Sequence, residues 1–452
     1  MIIARGRAEG WLKLPVSALP PWGELNDVTF NGISVGLLPG FEQRGSTVIA
    51  ARDLSAGDAE PLMIIPRDLV LSQEAVRVHA KSDQHLRQVL DALAEFGRFL
   101  PEELLPTFWT ETERKLLIGT TLKPAIEAKI KSLNKEFEQL RSTTKHIKWC
   151  EEVWWDEEDG RLSFDDWLQV DSMYRSRALE FPGIGDSMVP CVDMANHASG
   201  DATAALYEID SDGNAALLLR EGKELKKGDE VAITYGDKKG ACEMLFSYGF
   251  VEDGMSSARE LFLDLDIPND DPLKRAKLHV NTSAPGFRVF DSEGADATAG
   301  STGWQSDFVW LIVVNEEDGL EFEVAQTTDG GRELRVYWRG SALGEPDKLA
   351  DLLKTHPIWN VYRLRAVSLI QDRIEGQLRM LYGTDDEVRT VPRREGAGIR
   401  ERIWSLATRL RELERDLLER AYGNLEEEKE KLMETEAVQQ YLAQQDPEED
   451  FT

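Results

Sequence analysis

The stretch Met188–Gly254, MVPCVDMANHASGDATAALYEIDSDGNAALLLREGKELKKGDEVAITYGDKKGACEMLFSYGFVEDG, decides how the chain is read. It has three informative pieces: an apolar run ending in Asn196-His197, a run ending in Tyr235-Gly236, and the turn Tyr248-Gly249-Phe250. Between the first two, Leu206–Ile209 and Ala216–Leu219 flank Asp210-Ser-Asp-Gly-Asn214, which predicts a β-hairpin because Asp, Gly and Asn supply tight-turn chemistry between apolar runs. Lys227-Gly228-Asp229 predicts a second turn, and Val231–Tyr235 reads as a short buried strand. The apolar residues before Asn196 also read as a strand.

Upstream, Ser46–Ala50 and Pro61–Pro66 read as strands joined through Arg52–Gly57, after a loose glycine turn Gly40-Phe-Glu-Gln-Arg-Gly45. Residues 1–27 read as an N-terminal cap, with Trp11 and Trp22 among prolines. From Ser72 to about Asp171 the pattern is helical. Ile126, Ile130, Leu133, Phe137 and Leu140 recur at spacings of four and three, one apolar stripe of an amphipathic helix. Ser163 with Asp166 predicts a capped helix start. Downstream, Leu261–Ile267, Phe308–Val314 and Leu334–Trp338 read as strands, and the chain is helical from about Lys348. There Ile403, Leu406, Leu410, Leu413 and Leu417 form a second stripe on a charged helix. Asn424–Thr452 is rich in Glu and Gln and reads as a solvated helix running into an acidic tail.

The 452 residues exceed one ordinary core, so two or three domains are expected. The net charge of −30 disfavours nucleic-acid binding, which needs a basic footprint. It either attracts a basic partner or serves solubility. Cys150, Cys191 and Cys242 lie far apart, which predicts neither a disulfide framework nor a zinc cluster and suits a reducing compartment. No run reaches the length of a membrane span, and the N-terminus lacks the layout of a signal peptide, so no membrane partner is expected.

The motifs in their order resemble the SET-domain protein methyltransferases. The resemblance is to the branch of the Rubisco large-subunit lysine methyltransferase and its SETD-type relatives. It rests on Asn196-His197, the Gly228-Asp229 turn, Ile233-Thr-Tyr235-Gly236 and Tyr248-Gly249-Phe250, with Tyr174-Arg-Ser-Arg177 upstream. It implies an α+β fold: a SET domain over 1–255 with a helical insert at about 72–171. A mainly helical substrate-binding domain over 256–452 follows, ending in an acidic tail. The implied cofactor is S-adenosyl-L-methionine, with no metal. The implied reaction is methylation of a lysine in a non-histone protein; histidine N-methylation and a non-catalytic adaptor that binds a basic protein remain as alternatives.

By the same resemblance Tyr235 is the catalytic residue. Cofactor-binding roles fall on Arg177, Asp193, Met194, Ala195, Asn196, His197, Tyr248, Gly249 and Phe250, with Arg177 near the cofactor's carboxylate and the aromatic turn against its adenine. Two departures stand out: Ala198 follows Asn-His where Ser is usual, and the Gly40–Gly45 turn is not a tight Gly-x-Gly. The expected partner is a basic protein substrate, the expected state a monomer, and the expected location the cytoplasm, with the nucleus as alternative.

Overall fold

The structure is a computed structural model. It describes residues 14–55, 57, 60–79, 105–155, 162–181, 183–292, 300–326, 331–344, 349–391 and 398–445. Trp11, the helical reading across 80–104 and the last residues of the acidic tail lie outside the described residues. The chain forms two compact units. One takes the described residues of Met1–Phe108, Glu127–Lys238 and Phe246–Gly249; the other takes those of Trp109–Ile126, Lys239–Leu245 and Phe250–Thr452. A single boundary near residue 255 therefore does not describe the division, because 109–126 and 239–245 pack with the C-terminal half. Local bonds show why: Thr121 N–H and hydroxyl donate to Glu414, and Ala241 N–H donates to Ala258 O.

The first unit opens with α1 (Leu19–Leu25), then β1 (Thr29–Phe30), β2 (Ile33–Leu37), β3 (Ser46–Ala50), β4 (Leu54–Ser55), β5 (Met63–Ile65) and β6 (Leu71–Ser72). Next come α2 (Gln73–His79), α3 (Leu122–Thr144), α4 (Lys148–Trp154) and α5 (Phe164–Arg177). The sequence of strands resumes with β7 (Leu179–Phe181), β8 (Gly185–Met188), β9 (Ala205–Ile209), β10 (Ala215–Leu219) and β11 (Glu224–Leu225). Helix α6 (Ala241–Tyr248) is counted with this unit only from Phe246 on, its earlier residues with the other. The strands form small antiparallel sheets in the orders β1-β5-β10-β9, β2-β3, β4-β11 and β6-β8-β7. Their inner faces share one core that includes Val35, Val48, Met63, Ile65, Leu217, Val231 and Ile233.

The β9–β10 hairpin forms as its turn residues dictate. Asp210 Oδ1 accepts from the N–H groups of Asp212 and Asn214 at 2.9 and 2.8 Å, and Gly213 takes a φ of 85° that a side chain would resist. The capped start is equally local: Ser163 and Asp166 exchange reciprocal bonds at the head of α5. The apolar stripe of α3 is buried at Ile126, Leu133 and Phe137. Trp22, on α1, is buried in the core.

Two first-unit strand readings are corrected. Val231–Tyr235 is buried through Ile233 and half-buried at Thr234 and Tyr235, but forms no strand. Its groups are shared among different segments: Val231 N–H donates to Val48 O, Ile233 N–H to Asn196 O, and Ala232 O accepts from Ala204 and Ala205. Only isolated bridges result. The apolar run before Asn196 instead folds into a 3₁₀ turn at Val192–Met194, and β8 ends at Met188.

In the second unit β12 (Glu260–Asp264), β13 (Gly286–Asp291) and β14 (Thr302–Gln305) make one antiparallel sheet, and β15 (Leu320–Gln326), β16 (Arg332–Trp338) and β17 (Ser341–Leu343) another. Helices are α7 (Lys274–Val280), α8 (Phe308–Val313), α9 (Leu349–Lys354), α10 (Trp359–Thr390), α11 (Glu401–Met433) and α12 (Glu436–Gln445). The Phe308–Val314 strand reading is corrected to helix α8. All six of its residues are buried, so the run carries no periodicity, and the Ser306 hydroxyl accepts from Val309 N–H to start the turn. The α11 stripe is buried at Ile403, Leu410, Leu413 and Leu417 as its spacing requires. The segment after Asn424 is only partly solvated, since Leu425 and Val438 are buried.

Candidate active site

The site is built in the first unit on the turn from Pro190 to His197. Cys191 enters it with φ 70° and ψ −39°, a left-handed conformation costly for a residue with a side chain. Val192, Asp193, Met194 and Ala195 follow, all buried. Arg177, the last residue of α5, holds this turn: its Nη1 donates to Asp193 O at 3.1 Å and lies 3.3 Å from Asp193 Oδ2. A guanidinium suits that double recognition.

Asn196 and His197 are then locked to the run ending in Tyr235. Asn196 O accepts from Ile233 N–H, Ala198 N–H donates to Ile233 O, and His197 bridges Ile233 in parallel. Tyr235 N–H donates to His197 Nδ1 at 2.9 Å, so this nitrogen is the acceptor and the ring's proton sits on Nε2. The Tyr235 hydroxyl donates to Ala195 O at 2.8 Å. Its ring lies 5.2 Å from His197 and 4.7 Å from Tyr248, at interplanar angles of 35° and 34°. Tyr248 is the final residue of α6, and Gly249 leaves the helix at φ 76°.

The structure thus brings Arg177, Asp193, Met194, Ala195, Asn196, His197, Tyr235, Tyr248 and Gly249 into one unit; Phe250 belongs to the other. Several neighbours escaped the sequence reading. Asn196 Nδ2 donates to Glu230 Oε1 at 2.8 Å, and Arg44 Nη1 reaches Glu230 Oε2 at 3.3 Å. Arg44 sits in the Gly40–Gly45 turn, which is a hairpin loop joining β2 and β3, with Leu37 opposite Ser46. Tyr207 stacks on Phe181 at 4.7 Å, and burial first, then the nearby Tyr248, pushes its phenol above the usual tyrosine range. Glu230 and Arg44 gave no signal because a lone charge beside a turn is an ordinary surface feature. Tyr207 sat inside a hairpin strand, where an aromatic residue is unremarkable.

No protein-family profile matches the chain. SET domain-containing protein 8 of Schizosaccharomyces pombe is 26% identical over 275 residues, 60% of this chain and 59% of its own length. The chloroplastic fructose-bisphosphate aldolase-lysine N-methyltransferase of Arabidopsis thaliana is 26% identical over 300 residues, with the same shares. The chloroplastic Rubisco large-subunit N-methyltransferase of Pisum sativum is 27% identical over 268 residues, 53% of this chain and 52% of its own. The chain thus spans between about half and three-fifths of the length of these curated relatives. Among solved structures, the SET domain of LSMT bound to methyllysine and AdoHcy superposes with a TM-score of 0.65 at 17% identity, covering 96% of each chain. Rubisco LSMT bound to AdoMet gives 0.63 at 17% identity, over 95% of this chain and 96% of that one. The fold is that of a SET-domain methyltransferase, α+β as its motifs required. Within that class it is the fold of the Rubisco large-subunit methyltransferase.

Proposed function

We propose that the chain transfers a methyl group from S-adenosyl-L-methionine to a lysine side chain of a non-histone protein. One observation carries the reading: the Tyr235 phenol is fixed on Ala195 O and stacked on Tyr248, beside Asn196-His197. The likeness to the aldolase-lysine and Rubisco large-subunit N-methyltransferases supports the same reaction class.

The residues present fit the cofactor. It is a zwitterionic amino acid joined to an adenosine, and the site offers Glu230 and Arg44 as opposite charges, the Asn196 amide as donor and acceptor, and the Tyr248 ring as a flat apolar face. When bound, it supplies a methyl group on a sulfonium, which also disfavours a second positive charge nearby. The chain's own residues do the rest. Because the Tyr235 proton is committed to Ala195 O, the phenol oxygen's lone pairs point elsewhere and can accept from the incoming amine or from polarised C–H groups. The clustered rings of His197, Tyr235 and Tyr248 offer an apolar surface that favours the neutral amine, which free lysine reaches only near its pKa of about 10.4. With the cofactor bound, these residues would hold a neutral amine beside its methyl group, so no strong base would be needed.

The −30 charge supports a basic protein partner and argues against nucleic acid. Incubation with isotope-labelled cofactor and cell lysate, followed by mass spectrometry of the acceptor, tests the reading. Label on lysine is the expected outcome; label on histidine replaces the acceptor, and no label with no cofactor binding by calorimetry leaves an adaptor.

A further inference from the structure

The segment that carries Tyr248 has an unusual anchor. Helix α6 ends at Tyr248, so its last carbonyls have no partner within the helix. One of them, Phe246 O, accepts from Arg175 Nη1, and the Arg175 guanidinium also lies over the Phe246 ring, 4.4 Å from its centroid. A cation at a helix C-terminus is favoured by the exposed carbonyls and the helix dipole. Arg175 is itself held. Asp171 Oδ2 accepts from its Nη2 at 2.9 Å and its Nε at 3.2 Å, and Thr107 Oγ1 lies 3.4 Å from Nη2. Lys129 Nζ closes the network on Asp171 Oδ1 at 2.7 Å. The Arg175 side chain is 12% exposed, so these charged bonds are little screened. Every member lies in the first unit.

We propose that Arg175 is a positioning residue: by clamping Phe246 it fixes the last turn of α6 and so holds Tyr248 against Tyr235. The role given to the two tyrosines rests on the methyl-transfer reading above. An ordinary structural ion pair would hold α5 and Asp171 without reference to Tyr248. Here the bonded carbonyl lies two residues before Tyr248, and the residue after Tyr248 is Gly249, which has no side chain with which to fix the turn. Lysine cannot replace the guanidinium, because an ammonium can pair with Asp171 but cannot stack and donate to Phe246 O together.

The test uses the full chain with Arg175→Gln and Arg175→Lys. Hydrogen exchange of the amides of residues 247–250 is expected to quicken by about tenfold in both variants while α5 keeps its protection. In methyl transfer, Arg175→Lys is expected to restore the melting temperature lost in Arg175→Gln but not the kcat, a split that a purely structural pair would not produce. Arg175→Gln should lower kcat by about tenfold in the wild-type background and by less than about twofold in a Tyr248→Ala background, since the two act through one contact. Unchanged exchange at 247–250, or equal kcat losses in both backgrounds, overturns the proposal. If the wild type transfers no methyl group, the function reading fails, while the exchange measurement still decides the clamp. Should Arg175→Gln not fold, Arg175→Lys carries the exchange and kcat measurements.

Discussion

The hydroxyl of Tyr235 donates to the carbonyl of Ala195 across 40 residues of sequence, at 2.8 Å. That bond ties the two motif segments together and settles which way the phenol presents its lone pairs. Replacing Tyr235 with Phe removes the donor and leaves the stack on His197 and Tyr248 in place. Turnover is expected to fall by about a hundredfold or more, while cofactor affinity changes by less than about threefold. Single-turnover methyl transfer and calorimetric titration separate the two; wild-type turnover in this variant removes Tyr235 from the mechanism.

Asn196→Ala strips Glu230 of its amide donor and leaves the carboxylate with Arg44. Both partners are half-buried, so loss of the bond should lower stability by about 1 kcal/mol, and loss of the amide from the site should weaken cofactor binding by about fivefold or more. If Glu230 orients the amide, Glu230→Ala reproduces part of that loss. An affinity equal to wild type in Asn196→Ala shows that the Asn-His pair is structural.

Glu414 predicts a pH dependence of stability. Its side chain is fully buried, and burial pushes its carboxyl up to about 7, against the lowering effect of Thr121 and Arg411. The folded state therefore keeps a proton that the unfolded state releases near its ordinary value of 4.5. Stability is full below about pH 4.5, falls as pH rises towards 7, and is level beyond, with a total loss on the order of 3 kcal/mol. Glu414→Gln should flatten the thermal-melting profile between those limits. A profile of unchanged slope in the variant would show that Glu414 does not titrate there.

A basic protein substrate should be steered by the −30 charge. Raising salt until the Debye length is about 10 Å or less should raise the apparent KM while kcat stays nearly constant, since salt screens the long-range approach of two charged proteins far more than contacts a few ångströms apart. A KM that stays flat from low to physiological salt would leave the acidity as a solubility feature.

The sequence determined what is set within a few residues. Asp210–Asn214 closes its hairpin by its own side chains, Ser163 and Asp166 cap α5 reciprocally, and the stripes of α3 and α11 are buried because periodicity alone chooses a face. The motif order was also enough to name the fold. Tertiary structure decided the rest. Val231–Tyr235 is apolar enough for a strand, yet its hydrogen bonds go to separate segments, so no ladder forms. Phe308–Val313 is buried on all sides, which erases the periodicity that separates helix from strand. The partners of the named site residues were also out of reach. Glu230 is 34 residues from Asn196, Arg44 is 186 from Glu230, and Arg175 is 71 from the carbonyl it caps. A charged side chain has no periodicity and no turn chemistry to announce its partner. Which opposite charge or orphan carbonyl it meets is fixed only when the chain has folded and burial has removed water as the alternative.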